Sequence, residues 1–543
     1  MSDNTMRTIT IHKADIADGG MKSYKQDDDS IILITRDDST FYAFDGKCPH
    51  AGADLGAGLR CGKRVVCPWH HAAFDSTDGA LLEPIATEGL TQYELIDTGD
   101  SVVVNTAVTI NKAIENNKLR DTHTIIVGGG AAGFMTAHQL RHGGYGGKIT
   151  LINQEDKAPY NRPLLSKAFL AGDMPEEKLL LGGVDWAKNN NIDLRLSQVV
   201  REVLPNENAI IIEDGAGHSE TLTADFLVVA TGAAAIVPPI QGAEHDSVYT
   251  LRSMDDARAI KAASRNKNVV IVGTGFIGME VAAALAQAGM TASITVIGQT
   301  NRVMQNIVSE AVSDALIQLH QDKGVHFVLN ATVSEIVSEI VSETVSDGKQ
   351  VKGVILADGT RLAADVVILG TGVAPRTELL AEVNDSDGVA VDSRLRLRDG
   401  VYALGDIAKA DGKLGMMRIE HWRVAMQHGL VTAATILADD SVASLESRVP
   451  FFWTMQYGKS LRYTGHATTT EHSILKGAAD SLNYIEYYFD DDGENTRASA
   501  ASSLGRDQEL IAFSELLRMG YAPTRAQIDA DFDMIAQAHA LLC

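Results

Sequence analysis

In the first half of the chain, the apolar residues follow two different patterns, one after the other. Up to about residue 104, short alternating runs such as SIILITRDDSTFYAF are separated by turn residues, which predicts a small all-β unit. From Thr124 the pattern changes to a continuous apolar run (TIIVGGG), a helical segment (AAGFMTAHQLRHGG) and a second apolar run (KITLIN). This order predicts a β-α-β unit with a parallel sheet.

The same β-α-β pattern returns further along the chain, in NVVIVGTG, FIGMEVAAALAQAGM and SITVIG. Two such units in one chain predict two nucleotide-binding sites. From Val449, the runs VPFFWTMQYG and SLNYIEYYF predict antiparallel strands and DQELIAFSELLRMG predicts a helix, which indicates a separate α+β domain. A four-residue tandem repeat at 333–348 predicts a lengthened hairpin or an exposed loop, with Val and Glu on one face and Ser and Ile or Thr on the other.

Two short boxes in the N-terminal unit carry candidate metal chemistry. Their pattern, C-P-H-x16-C-P-W-H, is formed by Cys48, His50, Cys67 and His70. Two thiolates and two imidazoles on paired loops are the ligands of a Rieske [2Fe–2S] cluster, in which sulfur binds one iron and nitrogen the other. A Cys2His2 zinc site would use the same ligand types. We favour the cluster, because zinc knuckles rarely repeat Cys-Pro with a Trp before the His.

The first β-α-β unit contains a glycine pattern typical of dinucleotide binding, formed by Gly128, Gly130 and Gly133. The first glycine allows a tight turn, the second lets the backbone approach a pyrophosphate, and the third permits close packing of helix on strand. Free N–H groups at the helix start then face the phosphates. Just beyond the second strand, Glu155 is placed to bind the ribose hydroxyls of adenosine, with Asn153 as the alternative.

The second β-α-β unit repeats this pattern at Gly273, Gly275 and Gly278. Its second strand ends in Gly298, where a site selective for NADH usually has an acid. Without that carboxylate, discrimination against the 2′-phosphate of NADPH is lost, and Asn301 and Arg302 could bind the phosphate. The choice between NADH and NADPH therefore stays open.

Net charge and composition limit the partners and the cellular location that we expect for the protein. The 543 residues carry a net charge of −24, which disfavours binding to nucleic acids and to anionic membranes. Only four cysteines occur and two are assigned to the cluster, so we predict no disulfide framework and a reducing compartment. The N-terminus has no recognisable targeting peptide, and no apolar run is long enough to span a bilayer. We therefore expect a cytoplasmic protein.

Several further motifs occur in order along the chain: PYNRPLLSK, VVATG, VGTGFIGME, LGTGVAPRTELL, VYALGDIA, RIEHWRVAMQHG and VPFFWT. With the cluster boxes and the first glycine turn (VGGGAAG), they make the chain resemble the apoptosis-inducing-factor-like, ferredoxin-reductase-type flavoproteins that carry an N-terminal Rieske domain. The resemblance covers nearly the whole length. It implies three bound groups, which are FAD, a Rieske-type [2Fe–2S] cluster, and NADH or NADPH.

The resemblance also implies a multidomain fold. An all-β Rieske domain would precede two Rossmann-like α/β domains of the glutathione-reductase type, one for FAD and one for NAD(P)H. A C-terminal α+β domain would either pack on the active-site side or form a homodimer interface. The implied boundaries are 1–106 for the Rieske domain, 107–122 for a linker, 123–250 and 372–442 for the FAD domain, 251–371 for the NAD(P)H domain and 446–543 for the C-terminal domain.

Site residues are implied by the same motifs. Lys167 and Glu280 are expected to pair beside the isoalloxazine ring, with Arg162 nearby, because a cation there stabilises the anionic reduced flavin. Glu280 could equally stabilise the start of its own helix. Trp422 is expected to stack near the flavin or the nicotinamide, with an ordinary core tryptophan as the alternative. The catalytic set is thus Lys167, Glu280 and Trp422, and the further contacts are Thr231 and Gly232 at the dinucleotide, Arg252 on the flavin side, Gly372 on the nicotinamide side and Asp406 at a ribitol hydroxyl.

These expectations describe an FAD-dependent NAD(P)H oxidoreductase that passes electrons to its fused cluster and on to an external acceptor, which is a protein or a small oxidant. Three alternatives stay open: an NAD(P)H oxidase, a redox-sensing interaction protein, and a direct reductase of a small organic metabolite. Dithiol–disulfide chemistry within the chain is disfavoured, because no close cysteine pair accompanies the flavin motifs.

The second cluster box predicts a low reduction potential. High-potential Rieske proteins carry an additional Cys and a nearby Ser in this box, whereas here Trp69 holds the Cys position and HHAAF supplies no Ser. Fewer hydrogen-bond donors to the cluster sulfurs stabilise the reduced cluster less. We expect a midpoint near the lower end of the range of about −150 to +300 mV. An EPR-monitored redox titration measures it, and a midpoint near the upper end would contradict the assignment of this box.

Overall fold

The computed structural model describes residues 8–110, 115–172, 174–183, 185–340, 349–380, 383–385 and 387–542. They form an all-β N-terminal domain, two α/β domains built on parallel sheets, and a C-terminal α+β domain. The predicted fold class is confirmed. None of the helices in these ranges is long and apolar enough to cross a membrane.

The N-terminal domain contains two antiparallel sheets. Its strands are β1 (Thr8–His12), β2 (Met21–Lys25), β3 (Ile31–Asp37), β4 (Thr40–Asp45), β5 (Leu59–Cys61), β6 (Arg64–Val66), β7 (Ala73–Asp75), β8 (Leu81–Glu83), β9 (Gln92–Asp97) and β10 (Ser101–Thr109). One sheet has the order β1-β10-β9-β4-β3-β2 and the other the order β5-β6-β7-β8. Because β10 continues to Thr109, the segment predicted as a linker begins inside a strand.

The first α/β domain begins with a parallel sheet whose two central strands are mostly buried. Its elements are β11 (His123–Val127), α1 (Ala131–His142), β12 (Lys148–Ile152), α2 (Trp186–Asn189), β13 (Asp193–Arg195), β14 (Val199–Leu204), β15 (Ala209–Glu213), β16 (Ser219–Thr223), β17 (Phe226–Val229) and β18 (Ala233–Ala235). Strands β13, β12, β11 and β17 are parallel neighbours, and β14 to β16 form a separate antiparallel sheet.

The second α/β domain is inserted at this point. Its elements are β19 (Val248–Thr250), α3 (Met254–Ala263), β20 (Asn268–Val272), α4 (Phe276–Ala288), β21 (Ser293–Ile297), α5 (Glu310–Gln321), β22 (Val325–Val328), β23 (Val333–Ile340), β24 (Lys349–Leu356), β25 (Arg361–Ala363) and β26 (Val366–Leu369). The parallel sheet has the order β19-β26-β20-β21-β22. Helix α3 begins with a capping box, in which Ser253 and Asp256 bond to each other's backbone N–H groups.

The tandem repeat forms strand β23, which pairs with β24 in a hairpin, one of the two predicted forms. The prediction that Val and Ile of the repeat lie on opposite faces of the strand is wrong. A β-bulge between Val333 and Glu335 shifts the register, so Val333 and Ile336 are both buried. Residues 341–348 of the repeat lie outside the described residues.

The chain then returns to the first α/β domain. The returning elements are β27 (Val373–Pro375), β28 (Asn384–Asp385), β29 (Gly388–Val391), β30 (Arg396–Arg398), β31 (Val401–Ala403), β32 (Ala408–Gly412), β33 (Gly415–Arg418) and α6 (Trp422–Ile436). Strand β31 joins the first parallel sheet beside β17. Helix α6 packs on α1, and Gly429 allows a close approach, because a Cβ there would lie 2.6 Å from the carbonyl oxygen of Ala132.

The C-terminal domain is a five-stranded antiparallel sheet with helices on one side. Its elements are β34 (Phe451–Gln456), β35 (Lys459–Gly465), β36 (Ser473–Ala478), β37 (Asn483–Tyr488), β38 (Ala500–Leu504), α7 (Asp507–Met519), α8 (Arg525–Asp529) and α9 (Met534–Leu542). The strand order is β34-β35-β38-β37-β36. Leu59 and Val66 of the N-terminal domain share one buried apolar cluster with Phe451 and Phe513, so the two domains are packed together.

A buried carboxylate lies where three domains meet. Glu83, at the end of β8, is 2.8 Å from Arg448, 3.6 Å from Arg423 and 3.9 Å from Arg64, and Gln427 donates a hydrogen bond to it at 2.9 Å. Burial alone would raise the pKa of Glu83, but the three guanidinium groups and the amide lower it to about 2. The carboxylate therefore stays charged and holds the N-terminal domain against α6 and the C-terminal domain.

Replacing Glu83 by Gln should destabilise the protein strongly, because three guanidinium groups lose a buried counter-charge. We expect the free energy of unfolding to fall by about 3–5 kcal/mol. Because the folded-state pKa of Glu83 lies below the ordinary value of 4.5, its stabilisation is present above that pH and is lost as the pH falls toward 2.

Chemical denaturation of the full chain measures the effect. The control is Glu213→Gln, which removes a carboxylate from an exposed ion pair with Arg201 and should leave the stability close to that of the wild type, because solvent screens this pair. Equal effects of the two substitutions would show that the buried network does not hold the domains together.

Candidate active site

The two cluster boxes fold into loops of the same shape. Cys48 follows β4 and Cys67 follows β6, and each Cys N–H donates to the carbonyl of the Ala five positions later, at 2.8 Å in both loops. Four positions after each Cys, the N–H groups of Gly52 and His71 return to the Cys carbonyl at 2.8 and 3.2 Å. Gly52 and His71 both have a left-handed backbone, with φ of 77° and 54°. The repeated Cys-Pro spacing thus builds a matched pair of turns.

The four side chains form a nitrogen pair and a sulfur pair. The Nδ1 atoms of His50 and His70 lie 3.1 Å apart, close to the roughly 3.3 Å expected for two imidazoles on one tetrahedral metal. The thiols of Cys48 and Cys67 are hydrogen-bonded to each other. No three of the four donor atoms lie within 4.8 Å of one another. The arrangement fits two irons, each with its own ligand pair, better than a single zinc ion.

Both imidazoles are in the form that binds metal. Burial lowers the pKa of His50 to about 4, and burial, the neighbouring imidazole of His50 and the positive charges of Arg462 and Lys167 lower that of His70 to about 2. Neutral imidazole nitrogens are metal ligands, whereas imidazolium is not.

A groove starts at the first glycine turn and ends at the C-terminal domain. It consists of two adjoining cavities of about 800 and 230 Å³, which share Gly130, Arg162, Gly232 and Arg252 in their walls. The larger has the size and the glycine turn for an adenosine diphosphate, and the smaller has aromatic walls. Eleven predicted residues line the groove, namely Gly128, Gly130, Glu155, Arg162, Lys167, Thr231, Gly232, Arg252, Glu280, Asp406 and Trp422.

The glycine turns have the close contacts that their pattern requires. Gly128 has φ of 109°, and a Cβ there would lie 2.2 Å from the carbonyl oxygen of Ala230. A Cβ on Gly133 would lie 1.9 Å from the carbonyl oxygen of Gly128, so α1 contacts the turn directly. Gly273 and Gly278 repeat this contact in the second domain at 2.1 Å, and Gly275 precedes α4 as Gly130 precedes α1.

Glu155 and its alternative, Asn153, both line the adenosine end of the groove. Glu155 is ion-paired with Arg162 at 2.5 Å and accepts a hydrogen bond from Tyr160 at 2.6 Å. The amide nitrogen of Asn153 donates to the carbonyl of Lys157 at 2.9 Å. The choice of ribose ligand between the two stays a prediction.

Lys167 and Glu280 form a buried ion pair between the two α/β domains. The Nζ of Lys167 lies 2.7 Å from Oε2 of Glu280 and also donates to the carbonyl of Pro163 at 3.1 Å. Ser166 donates its hydroxyl to the same carboxylate oxygen. Lys167 lies in a π-helical turn, Leu165–Phe169, and its own φ and ψ of −118° and −111° are not helical. Such irregular turns often mark functional sites, and this one exposes Lys167 to the aromatic cavity.

The smaller cavity has polar groups that fit a flavin ring. In the wall of this cavity, Arg252 donates to Asp406 at 2.8 Å. The indole N–H of Trp422 and Nδ1 of His421, also in the wall, are buried without a hydrogen-bond partner among the described residues. Buried polar atoms normally have partners, so these two suit a planar ring that carries carbonyl and nitrogen groups, as isoalloxazine does.

Gly372 lies apart from the groove. It has φ of 104° and occupies the turn between β26 and β27, where its carbonyl accepts the N–H of Ile236 at 3.0 Å. Its expected place beside the nicotinamide stays a prediction. Gly133 also lies outside the groove, as do the three glycines of the second turn, which belong to the inserted domain.

Several wall residues of the aromatic cavity were not predicted, among them Ser166, Phe276, His421, Phe452 and Trp453. Trp453 is the most informative, because its ring centroid is 4.5 Å from that of His70. The motif VPFFWT contained this residue, but no local pattern connects two positions so far apart in the chain. Its proximity to the cluster loops required the structure.

Family comparisons agree with this geometry. Three family models match the chain: the Rieske [2Fe-2S] domain over residues 7–94, pyridine nucleotide-disulphide oxidoreductase over 122–429, and the reductase C-terminal domain over 451–537. The chain belongs to the pyridine nucleotide-disulphide oxidoreductase family. The family assignment confirms an FAD-dependent oxidoreductase that uses a pyridine nucleotide, and the first model confirms a Rieske [2Fe–2S] domain.

Individual members of the family resemble the chain over different lengths. Apoptosis-inducing factor 3 of Homo sapiens is 28% identical over 542 residues, which cover 95% of this chain and 85% of the human protein. Rhodocoxin reductase of Rhodococcus erythropolis is 31% identical and covers 76% of this chain and 93% of its own length. Among solved structures, a ferredoxin reductase from Rhodopseudomonas palustris has a TM-score of 0.69 at 27% identity, covering 77% of this chain and 100% of its own.

The Lys167–Glu280 pair leads to a kinetic prediction. Lys167→Met keeps the apolar stem but leaves the carboxylate of Glu280 buried without its cation, so the cavity loses the positive charge nearest that carboxylate. We expect the anaerobic rate of flavin reduction by NADH to fall about 10- to 100-fold, or ~1.4–2.7 kcal/mol of barrier. Stopped-flow absorbance measures this rate.

The control is Lys261→Met. The Nζ of Lys261 donates to the carbonyl of Phe169, at the end of the same π-helical turn, and has no place in the cavity wall. This variant should reduce its flavin at the wild-type rate. Equal rates for Lys167→Met and Lys261→Met would remove Lys167 from the catalytic set.

Proposed function

We propose that the protein oxidises NADH, passes the electrons to its own Rieske cluster and delivers them to an external acceptor. FAD supplies hydride acceptance and release of single electrons, and the cluster carries one electron at a time. The residues of the chain hold these groups close together, exclude water between them and fix the charge around the flavin cavity.

The contact between His70 and Trp453 is the observation that carries the proposal. Trp453 lines the aromatic cavity, and its ring centroid lies 4.5 Å from that of a cluster ligand. A single side chain therefore separates the flavin cavity from the iron-binding loop. An electron-transfer route needs such a short, dry connection, whereas an oxidase or a direct reductase has no use for it.

The second cluster loop is held in this place by several independent contacts. His71, next to the ligand, stacks on Phe451 with ring centroids 4.2 Å apart. Arg423 donates to the carbonyl of His71 at 2.9 Å, and Arg462 donates to the carbonyl of Trp69 at 2.7 Å. Because Arg423 directly follows Trp422, the start of α6 supports both the cavity wall and the cluster loop.

The identity of the acceptor is the open part of the proposal. Relatives of the chain are named rhodocoxin reductase, rubredoxin-NAD(+) reductase and ferredoxin–NAD(+) reductase component, after small electron-transfer proteins. This chain carries its own ferredoxin-like module, so we propose that the acceptor, a redox protein or a small oxidant, takes electrons from the cluster. Cys48, Cys61 and Cys67, the cysteines among the described residues, form no disulfide with one another, and we propose a reducing cytoplasmic location.

An anaerobic titration of the purified protein with NADH tests the function. Flavin absorbance and the EPR signal of the cluster are followed in the same sample. We expect both to change and the cluster to be reduced within the time of one turnover. A flavin that bleaches fully while the cluster stays oxidised would refute the internal route, as would zinc in place of iron at the N-terminal loops.

Trp453→Ala tests the contact itself. The substitution opens a gap beside His70, so we expect the cluster to be reduced about tenfold more slowly, or ~1.4 kcal/mol of added barrier, with flavin reduction by NADH unchanged. The control is Trp69→Ala, which removes an exposed indole next to the same ligand, with ring centroids 6.5 Å apart. If both variants reduce the cluster at the wild-type rate, Trp453 has no part in the route. An unchanged EPR line shape in both variants shows that the ligands are intact.

A further inference from the structure

A further cavity lies directly behind the Lys167–Glu280 ion pair. Its volume is about 170 Å³, and its walls come from the π-helical turn of Lys167, from α4 and from the hairpin of β34 and β35. Ser166, Lys167 and Glu280 line both this cavity, here called the rear cavity, and the smaller aromatic cavity of the flavin site. The ion pair and its serine partner therefore separate the two spaces.

The rear cavity extends from the protein surface to the buried ion pair. At its outer end, Gln287, Met455 and Gly458 are exposed. At its inner end, Lys167 and Glu280 are buried, and the walls between the two ends consist mainly of small side chains, namely those of Ala168, Ala171, Ala283 and Ala284. One water molecule takes up about 30 Å³ in the liquid, so several fit into this space. Solvent therefore reaches the ion pair without passing through the flavin cavity.

The carboxylate of Glu280 has one oxygen in use and one available. Its Oε2 accepts hydrogen bonds from the hydroxyl of Ser166 and from Nζ of Lys167, the latter at 2.7 Å. Its Oε1 has no donor among the residues that the structure describes. Of the three side chains shared by the two cavities, Glu280 is the one whose charged form accepts a proton.

The proposed electron transfer leaves a proton behind at the flavin site. NADH delivers a hydride, which is two electrons and one proton, and becomes NAD⁺. The cluster carries one electron at a time, so two transfers remove both electrons but not the proton. One proton per NADH must therefore leave a cavity whose walls contain aromatic rings that accept no proton, namely Phe276, Trp422, Phe452 and Trp453.

We infer that the rear cavity is the exit path of this proton and that Glu280 carries it between the two cavities. The carboxylate takes up the proton from the flavin side and passes it to water in the rear cavity, which returns Glu280 to its charged form. Lys167 and Ser166 hold the carboxylate through Oε2 while Oε1 exchanges the proton. The inference rests on the proposed function in requiring that electrons leave the flavin site one at a time.

Glu420 offers the competing route. Its carboxylate also lines the flavin cavity, but it is exposed and ion-paired with Arg418, and it has no place in the wall of the rear cavity. Slow proton release in Glu420→Gln together with normal release in Glu280→Gln would put the exit at Glu420 and overturn the inference.

A single turnover shows the release of the proton directly. The holoprotein is reduced anaerobically with one equivalent of NADH and is then mixed with ferricyanide, a one-electron oxidant that takes up no proton, in weak buffer with a pH-indicator dye. Two ferricyanide ions take the two electrons, and one proton appears in solution. The dye reports the proton, and flavin absorbance reports the electrons.

Ala283→Leu fills the rear cavity from a wall that the flavin cavity does not share. We expect proton release to slow about tenfold, with an increased solvent isotope effect, while the flavin is reduced by NADH at the wild-type rate. Gln287→Trp covers the exposed outer end and should act in the same direction, so the test does not depend on the folding of one variant. The control is Ala288→Leu, at the end of the same helix and outside the cavity wall, which should release the proton at the wild-type rate.

Glu280→Gln removes the proton acceptor and should slow release to a similar extent. Wild-type release rates in both Ala283→Leu and Gln287→Trp, or in Glu280→Gln, would overturn the inference. The proposed function is tested separately, because ferricyanide takes electrons from the flavin and from the cluster alike. The dye signal therefore does not depend on whether the electrons pass through the cluster.

Discussion

Glu83 carries its charge where water is excluded, and the guanidinium groups around it come from the N-terminal domain, from α6 and from the segment before the C-terminal sheet. A buried carboxylate of this kind tolerates few arrangements of its partners, because each missing partner leaves a charge uncompensated. The network therefore fixes one position and orientation of the Rieske domain relative to the other domains. In that orientation His70 contacts Trp453, which sets the position of the cluster-binding loops relative to the flavin cavity.

The parts of the molecule that depend on short spacings could be predicted from the sequence. The two Cys-Pro boxes fold as equal loops because each turn closes within five residues. The glycine turns follow from contacts such as that between Gly133 and Gly128, which are also local. Pairing of Lys167 with Glu280 joins distant segments, and only the resemblance of the motifs to a known family suggested it.

Other features depend on contacts that no local pattern encodes. The neighbours of Glu83 and the meeting of Trp453 with His70 arise from the way whole domains pack. The faces of β23 were predicted wrongly, because the expected alternation assumed a regular strand and a bulge at Val333 shifts the register. The sequence showed that Gly298 lacks an acid, but only the structure shows that a side chain at Gly298 would meet Thr274.

The apolar packing of Leu59 and Val66 against Phe451 has a consequence for how the protein handles electrons in the cell. A reductase and a free ferredoxin must meet by diffusion, and their encounter rate depends on protein concentration and weakens as salt screens the attracting charges. On the proposed route, the first exchange would cross an interface that is already formed and lined by buried apolar side chains. Its speed should be the same at any dilution and ionic strength, so that only the final hand-over to the acceptor responds to conditions in the cell.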